Sequence, residues 1–191
     1  MKKIKEIIIG TNNIGKYREI CNLIPKEVKK YSPKDFKISS PNEDGKSFEE
    51  NSKLKALYFS KKANLLCLSD DSGLEIDLLN GAPGIHSSRW GGPEKDFNLA
   101  MEKVFSEMHK QKKNWENNNK AKFICCLTLC WPSGKNYSSI GTIKGKISPK
   151  KKGKNGFGYD PIFIPNGYNK TFGEMESKLK MSIDHRFNAF L

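Results

Sequence analysis

The chain has 191 residues, enough for one domain with a core of its own and short for two. It carries 34 Lys and Arg against 21 Asp and Glu, a formal charge of +13, and its hydrophobic residues, 36% of the total, fall in distinct clusters. That pattern argues against a disordered chain and toward anionic ligands such as nucleotides, nucleic acid or acidic lipid.

Five cysteines, an odd number with no C-x-x-C pair, fit a reducing compartment, and Cys125, Cys126 and Cys130 lie in an apolar run where cysteine acts as a small hydrophobe. The amino terminus has lysines and then only Ile7-Ile8-Ile9 before polar residues. This is short for a signal peptide or a membrane span, so a soluble cytoplasmic protein with no membrane partner is expected.

Ile7–Gly10 reads as a buried strand, a short apolar run ended by Gly. A helix is predicted from Lys16 to Ile24, stopping before Pro25, and a short strand over Asp35–Ser39. Ser47-Phe48-Glu49-Glu50 has capping-box spacing and opens a helix to Ala63. Leu65–Leu68 and Leu74–Leu79 are apolar, separated by the turn composition Ser69-Asp70-Asp71-Ser72-Gly73 and followed by Asn80-Gly81. Phe97, Met101, Val104 and Met108 recur at helical spacing, giving an amphipathic helix over Glu94–His109. Phe123–Trp131 and Tyr137–Lys144 flank Pro132-Ser133-Gly134-Lys135-Asn136, a hairpin signal. Pro161–Ile164 is a further strand candidate, and Thr171-Phe172-Gly173-Glu174 has a second capping-box spacing before a short helix. Early strand–helix alternation followed by a hairpin points to an α/β fold with a mixed sheet.

Four segments carry candidate chemistry. Gly10-Thr11-Asn12-Asn13-Ile14-Gly15-Lys16 follows a strand and opens a helix, where backbone N–H groups and the helix dipole suit phosphate and Lys16 adds a mobile positive charge. It also matches G-x-x-x-x-G-K, most of a P-loop, but Tyr17 stands where Ser or Thr would hold Mg²⁺. Asp70 and Asp71 form a carboxylate pair suited to a hard cation; on an extended chain they point opposite ways, one to the site and one to the loop. Glu43 and Glu50 are further carboxylate candidates, with Glu50 also readable as a cap partner of Ser47. In Lys150–Pro161, glycines flank Phe157, which can stack on a flat ring, Asp160 can accept from ring N–H groups, and the lysines can attract a triphosphate. Near the end stand Lys178, Lys180, Asp184, His185 and Arg186, with His185 and Arg186 as donors to a ring carbonyl.

In this order the segments resemble the Ham1-type inosine/xanthosine triphosphate pyrophosphatase family. The shared motifs are T-N-N-x-G-K from Thr11, S-F-x-E-N at 47–51, S-D-D-S-G-L at 69–74, G-A-P-G-I-x-S-x-R at 81–89, G-F-G-Y-D-P at 156–161 and H-R at 185–186. The resemblance implies Mg²⁺-dependent hydrolysis of ITP, dITP and XTP to monophosphate and pyrophosphate, cleansing the nucleotide pool. It implies an elongated three-layer α/β fold around a long mixed sheet with helices packed on it, one domain over residues 1–191 with two lobes flanking a central cleft, and a homodimer.

Carried over, Thr11, Asn12, Asn13, Ile14, Gly15 and Lys16 match triphosphate contacts; Asp71 matches the metal-binding and proton-accepting position, and Glu43 a second metal position. Ser72, Phe157, Gly158, Tyr159, Asp160, Lys180, His185 and Arg186 match nucleotide contacts. Three positions depart from the pattern: Asp184 stands where Ser is usual, Asn155 where Gly is usual, and the final helix is short. The competing readings are a P-loop-like NTPase releasing orthophosphate and a basic nucleic-acid-binding module; no specific nucleic acid is expected as partner.

Overall fold

A computed structural model of the chain describes residues 4–191. The strands are β1 (Glu6–Ile9), β2 (Lys29–Tyr31), β3 (Cys67–Ile76), β4 (Lys120–Cys130), β5 (Asn136–Ile147) and β6 (Phe163–Pro165). The helices are α1 (Ile14–Leu23), α2 (Phe48–Ala63), α3 (Phe97–Gln111), α4 (Ser177–Lys180) and α5 (His185–Phe190). The six strands form one sheet in the order β2-β1-β3-β4-β5-β6. β1 pairs in parallel with β2 and β3, whereas β5 and β6 are antiparallel, so the sheet is mixed, as expected.

The chain divides into two compact units. One holds the residues up to Asp71 together with Cys125–Gly141 and Ala189–Leu191; the other holds Ser72–Ile124 and Thr142–Asn188. In the first unit the apolar run of β1 is unbroken because both faces of the strand are covered. Ile7 and Ile9 pack with Ile20 of α1 and with Ile24 just after it, while Ile8, between them, packs with Ala56 and Phe59 from α2. The period of two along the strand therefore sets one helix on each side. Gly10 ends β1 because space is short: a Cβ there would meet the Cys67 sulfur at 2.8 Å and the Phe59 ring at 2.9 Å. In the second unit, Leu74 and Ile76 of β3, Phe123 of β4 and Ile147 of β5 pack with Met101, Val104 and Met108 of α3 and with Phe163 and Phe172.

Local rules held at the helix starts. Asn13 caps α1, Ser47 caps α2 and Asp96 caps α3, each accepting a backbone N–H of its first turn. Ser47 Oγ accepts from Glu50 N at 3.1 Å, but the Glu50 carboxylate reaches back to Lys46 N at 2.7 Å. Asn80 and Gly81 turn at positive φ (53° and 88°), and the hairpin turn closes with Trp131 N donating to Lys135 O at 2.9 Å.

Four expectations changed. Asp35–Ser39 is not a strand. Pro33–Phe36 is a 3-10 turn in which Asp35 accepts from the Ser32 backbone, and the strand is the charged Lys29–Tyr31 segment paired to β1. Ser69–Gly73 is not a turn but the middle of β3, buried at Ser69, Asp70 and Asp71. Its polar side chains find buried partners: Ser69 Oγ donates to Gly10 O at 2.8 Å, and both carboxylates meet ammonium groups. Pro161 and Ile162 belong to a 3-10 turn preceding β6, and Thr171–Glu174 caps a 3-10 turn, with α4 beginning at Ser177. No helix among the described residues is long and apolar enough to cross a membrane.

Candidate functional site

The first unit gathers a charged cluster from β3, α1, α2 and the loop before α2. Thr11 Oγ1 accepts from Asn13 N at 3.2 Å, Asn13 Oδ1 accepts from Lys16 N at 3.0 Å, and Asn12 donates to Ser40 Oγ at 2.7 Å. Thr11, Asn12, Asn13, Ile14 and Tyr17 line a hollow of about 270 Å³ closed by Ser32, Lys34 and Asp35. The cap takes one of the helix-start N–H groups; those of Ile14 and Gly15 lie outside the helical ladder, where an anion is favoured. Lys16 is not the mobile charge expected from sequence: its Nζ lies 3.2 Å from the fully buried Asp70 carboxylate.

Asp71, next along the strand, takes different partners. Its Oδ1 is 3.2 Å from Lys55 Nζ and its Oδ2 accepts from Asn51 Nδ2 at 3.3 Å. Asn51 is itself held by Gly45 N at 2.9 Å. Lys55 Nζ also lies 2.9 Å from Glu43 Oε1, so one buried ammonium bridges the two carboxylates singled out from sequence for metal. Burial pushes the Asp71 carboxyl above its ordinary value; Lys55 and Lys16 pull it down, and Glu43 and Asp70 add to the rise. Burial works against the Lys55 ammonium, but Asp71, Asp70 and Glu43 more than offset it and hold its pKa up. The two directions agree: three carboxylates around two ammonium groups make the cluster favour added positive charge.

Among the described residues no group of three His, Cys, Asp or Glu could hold a metal ion by itself. Glu43 and Asp71 nevertheless fit Mg²⁺. Both are oxygen donors turned to one cationic point, and Mg²⁺ beside phosphates uses one or two carboxylates and completes its shell with phosphate and water. Glu50 holds the loop before α2 through Lys46 N instead.

The second unit gathers an aromatic and charged set around Phe157. Gly156 turns at φ 72°, and a Cβ there would collide with Asp160 Oδ2, the atom that accepts from Phe157 N at 2.9 Å. Lys180 Nζ stands 3.1 Å from the same oxygen and 5.0 Å from the centre of the Phe157 ring. The Arg186 guanidinium lies 6.0 Å from that centre and donates to Ser72 Oγ at 3.1 Å. His185 stacks on Phe123 with centroids 4.8 Å apart. Lys180, His185 and Arg186 are thus buried groups rather than surface features. Gly158 turns at φ 65°. Tyr159 is committed to the core, its hydroxyl donating to Ser87 O at 2.7 Å and its ring set edge-on to Phe97. The lysine run is largely exposed, with Lys151 paired to Glu102 at 2.7 Å.

Sequence reasoning missed Lys55 and gave Asn51 no role. The signal was available. Phe48, Asn51, Ser52, Lys55, Ala56 and Phe59 recur at helical spacing on the buried face of α2, and three polar residues on a core stripe mark a site rather than a core.

Three comparisons bear on this arrangement. A dITP/XTP pyrophosphatase of Rhodospirillum centenum is 40% identical over 185 residues, covering 96% of this chain and 90% of its own length. A dITP/XTP pyrophosphatase of Bacillus cereus is 40% identical over 195 residues, with 99% and 93% covered. The solved structure of a HAM1 protein from Coxiella burnetii superposes with a TM-score of 0.87 at 32% identity, covering 98% of this chain and 95% of that one. The family model described as Ham1 family matches residues 7–191, which contain both the Asp71 cluster and the Phe157 set, and the chain belongs to that family.

Proposed function

We propose that this chain hydrolyses the non-standard purine nucleoside triphosphates ITP, dITP and XTP to the monophosphate and pyrophosphate, with Mg²⁺, and so clears them from the nucleotide pool. The names of its relatives support this reading. The observation that carries it is Asp71, a buried strand carboxylate held between Lys55 and Asn51, with its proton affinity raised. A carboxylate shifted toward neutrality is suited to take a proton from water at the working pH.

Thr11–Lys16 bind the triphosphate through helix-start N–H groups and the Lys16 ammonium. Asp71 takes the proton of the water that attacks the α-phosphorus. Lys55 holds Asp71 and Glu43 in place and supplies charge complementary to phosphate. Mg²⁺ on Glu43 and Asp71 would neutralise phosphate charge and favour pyrophosphate as the leaving group. Phe157 stacks on the purine, while His185 and Arg186 donate to a 6-oxo group and Lys180 offsets phosphate charge; a 6-amino group would set donor against donor, at a cost of about 1–3 kcal/mol for each buried unpaired group. Ser72 fixes Arg186. Gly158, Tyr159 and Asp160 shape the ring-binding turn.

A panel of nucleoside triphosphates with Mg²⁺, scored separately for pyrophosphate and orthophosphate, tests the proposal. ITP, dITP and XTP are expected to give pyrophosphate and monophosphate. Orthophosphate as the first product would favour a P-loop-like NTPase, and equal kcat/KM for ITP and ATP would remove the ring-selection argument. We further propose a cytoplasmic homodimer, checked by sedimentation equilibrium of the full chain.

A further inference from the structure

Asn51 stands inside the charged cluster of the first unit without carrying a charge. It is wholly buried, on the face of α2 that also bears Lys55 one turn further on. Gly45 N donates to Asn51 Oδ1 at 2.9 Å, which fixes the carboxamide with Nδ2 toward Asp71, and Nδ2 donates to Asp71 Oδ2 at 3.3 Å. Gly45 follows Glu43 by two residues. The loop that holds Glu43 is therefore tied to Asp71 by two routes. Lys55 ties it through charge, meeting Glu43 Oε1 and Asp71 Oδ1. Asn51 ties it through neutral hydrogen bonds, meeting Gly45 N and Asp71 Oδ2. Gly45 bears on the second route. Its backbone does not turn at positive φ, so its need for glycine is spatial: a Cβ there would meet Asn51 Oδ1 at 2.6 Å and Glu50 Cβ at 2.9 Å.

The two routes respond differently to a cation. The Lys55 ammonium and a divalent cation compete for the same carboxylate charge, so the ionic tie loosens as the cation is taken up. The Asn51 tie has no charge to be displaced, and a carboxylate oxygen keeps lone pairs beyond the one that accepts from Nδ2. We propose that Asn51 is a positioning residue that holds Asp71 and the Glu43 loop at one spacing when Lys55 lets go, with Gly45 left bare to seat its carboxamide. The inference rests on the pyrophosphatase reading, in which Glu43 and Asp71 take Mg²⁺, and adds to it a residue that acts only through those two.

The test titrates the full chain with Mg²⁺ alone, by calorimetry at one pH, and measures beside it the Mg²⁺ concentration that gives half-maximal pyrophosphate release from ITP. Asn51→Leu keeps the bulk of the side chain and removes both hydrogen bonds. Gly45→Ala keeps Asn51 and displaces its carboxamide. Each is expected to weaken Mg²⁺ binding by roughly 10- to 100-fold, the usual effect of removing a partner that orients metal ligands, and to raise the Mg²⁺ requirement by a similar factor. Because both act on one carboxamide, Gly45→Ala should cost little further affinity in the Asn51→Leu background. Thermal melts in EDTA show which variants are folded, and Gly45→Ala carries the test if Asn51→Leu is not. Folded variants with unchanged Mg²⁺ affinity and unchanged Mg²⁺ requirement, whatever stability they lose, make Asn51 a structural residue only; that overturns the inference and leaves the pyrophosphatase reading standing. An unsubstituted chain that neither takes up Mg²⁺ nor releases pyrophosphate overturns the reading, and the inference with it.

Discussion

Replacing Lys55 with Met removes the one ammonium that bridges Glu43 and Asp71 while keeping the volume of the stem. The Lys55 and Asp71 side chains are only 6% and 7% exposed, with charged atoms 3.2 Å apart. At that separation an effective dielectric near 20 gives an attraction of about 5 kcal/mol. Glu43 is 35% exposed, so its lost pairing adds little. Breaking a buried pair from one side typically costs about 3–5 kcal/mol.

The orphaned Asp71 has an escape, because it can take up a proton. At pH 7, against an unfolded carboxyl near pH 4, that costs about 4 kcal/mol; at pH 5 it costs only about 1.5 kcal/mol. The Asn51 hydrogen bond to Asp71 remains and softens the loss. Lys55→Met is therefore expected to destabilise the chain by about 3 kcal/mol at pH 7 and by no more than about 1.5 kcal/mol at pH 5. Urea unfolding of both proteins in EDTA at the two pH values measures this. A loss below about 1 kcal/mol at pH 7, or an undiminished loss at pH 5, would refute the claim that this ammonium offsets the Asp71 charge.

Three other outcomes follow from the same geometry. Asp71→Asn should lower pyrophosphate release by about 10²–10⁴-fold, as expected for loss of a general base, and near-normal turnover would remove Asp71 from the reaction. Burial raises the Asp71 carboxyl despite Lys55 and Lys16, so protons compete with Mg²⁺ there at higher pH than at an ordinary carboxylate. Mg²⁺ affinity, read by calorimetry, should climb from pH 5 to pH 7, and a flat profile would count against Asp71 as a ligand. Gly156→Ala places a Cβ against Asp160 Oδ2 at φ 72°. A stability loss of about 1–3 kcal/mol by thermal melting, with weaker ITP binding, is expected from the strained backbone and the displaced carboxylate.

The sequence by itself determined what nearest neighbours decide. Ser47 starts α2 because its oxygen meets an orphan N–H of the first turn, as its spacing to Glu50 announced. Ile7-Ile8-Ile9 announced a strand buried on both faces, and six spaced motifs marked the family and the residues to watch. Tertiary structure decided which charges meet. Glu43 and Asp71 are 28 positions apart, and the lysine that joins them comes from α2, whose spacing marks Lys55 for the buried face but not the carboxylates it meets there. Ser69–Gly73 has the composition of a turn and is a strand because Gly10, Lys16, Asn51 and Lys55, all distant in sequence, satisfy its polar groups. Asp184 likewise caps α5 and pairs with Lys180 within about one turn, while the Lys180 bond to Asp160 and its place over the Phe157 ring exist only in the folded chain. Propensity and capping act within about one turn of helix. A buried charge is settled by whichever partner the fold brings within a few ångströms, because desolvation makes an unmatched one too costly to keep.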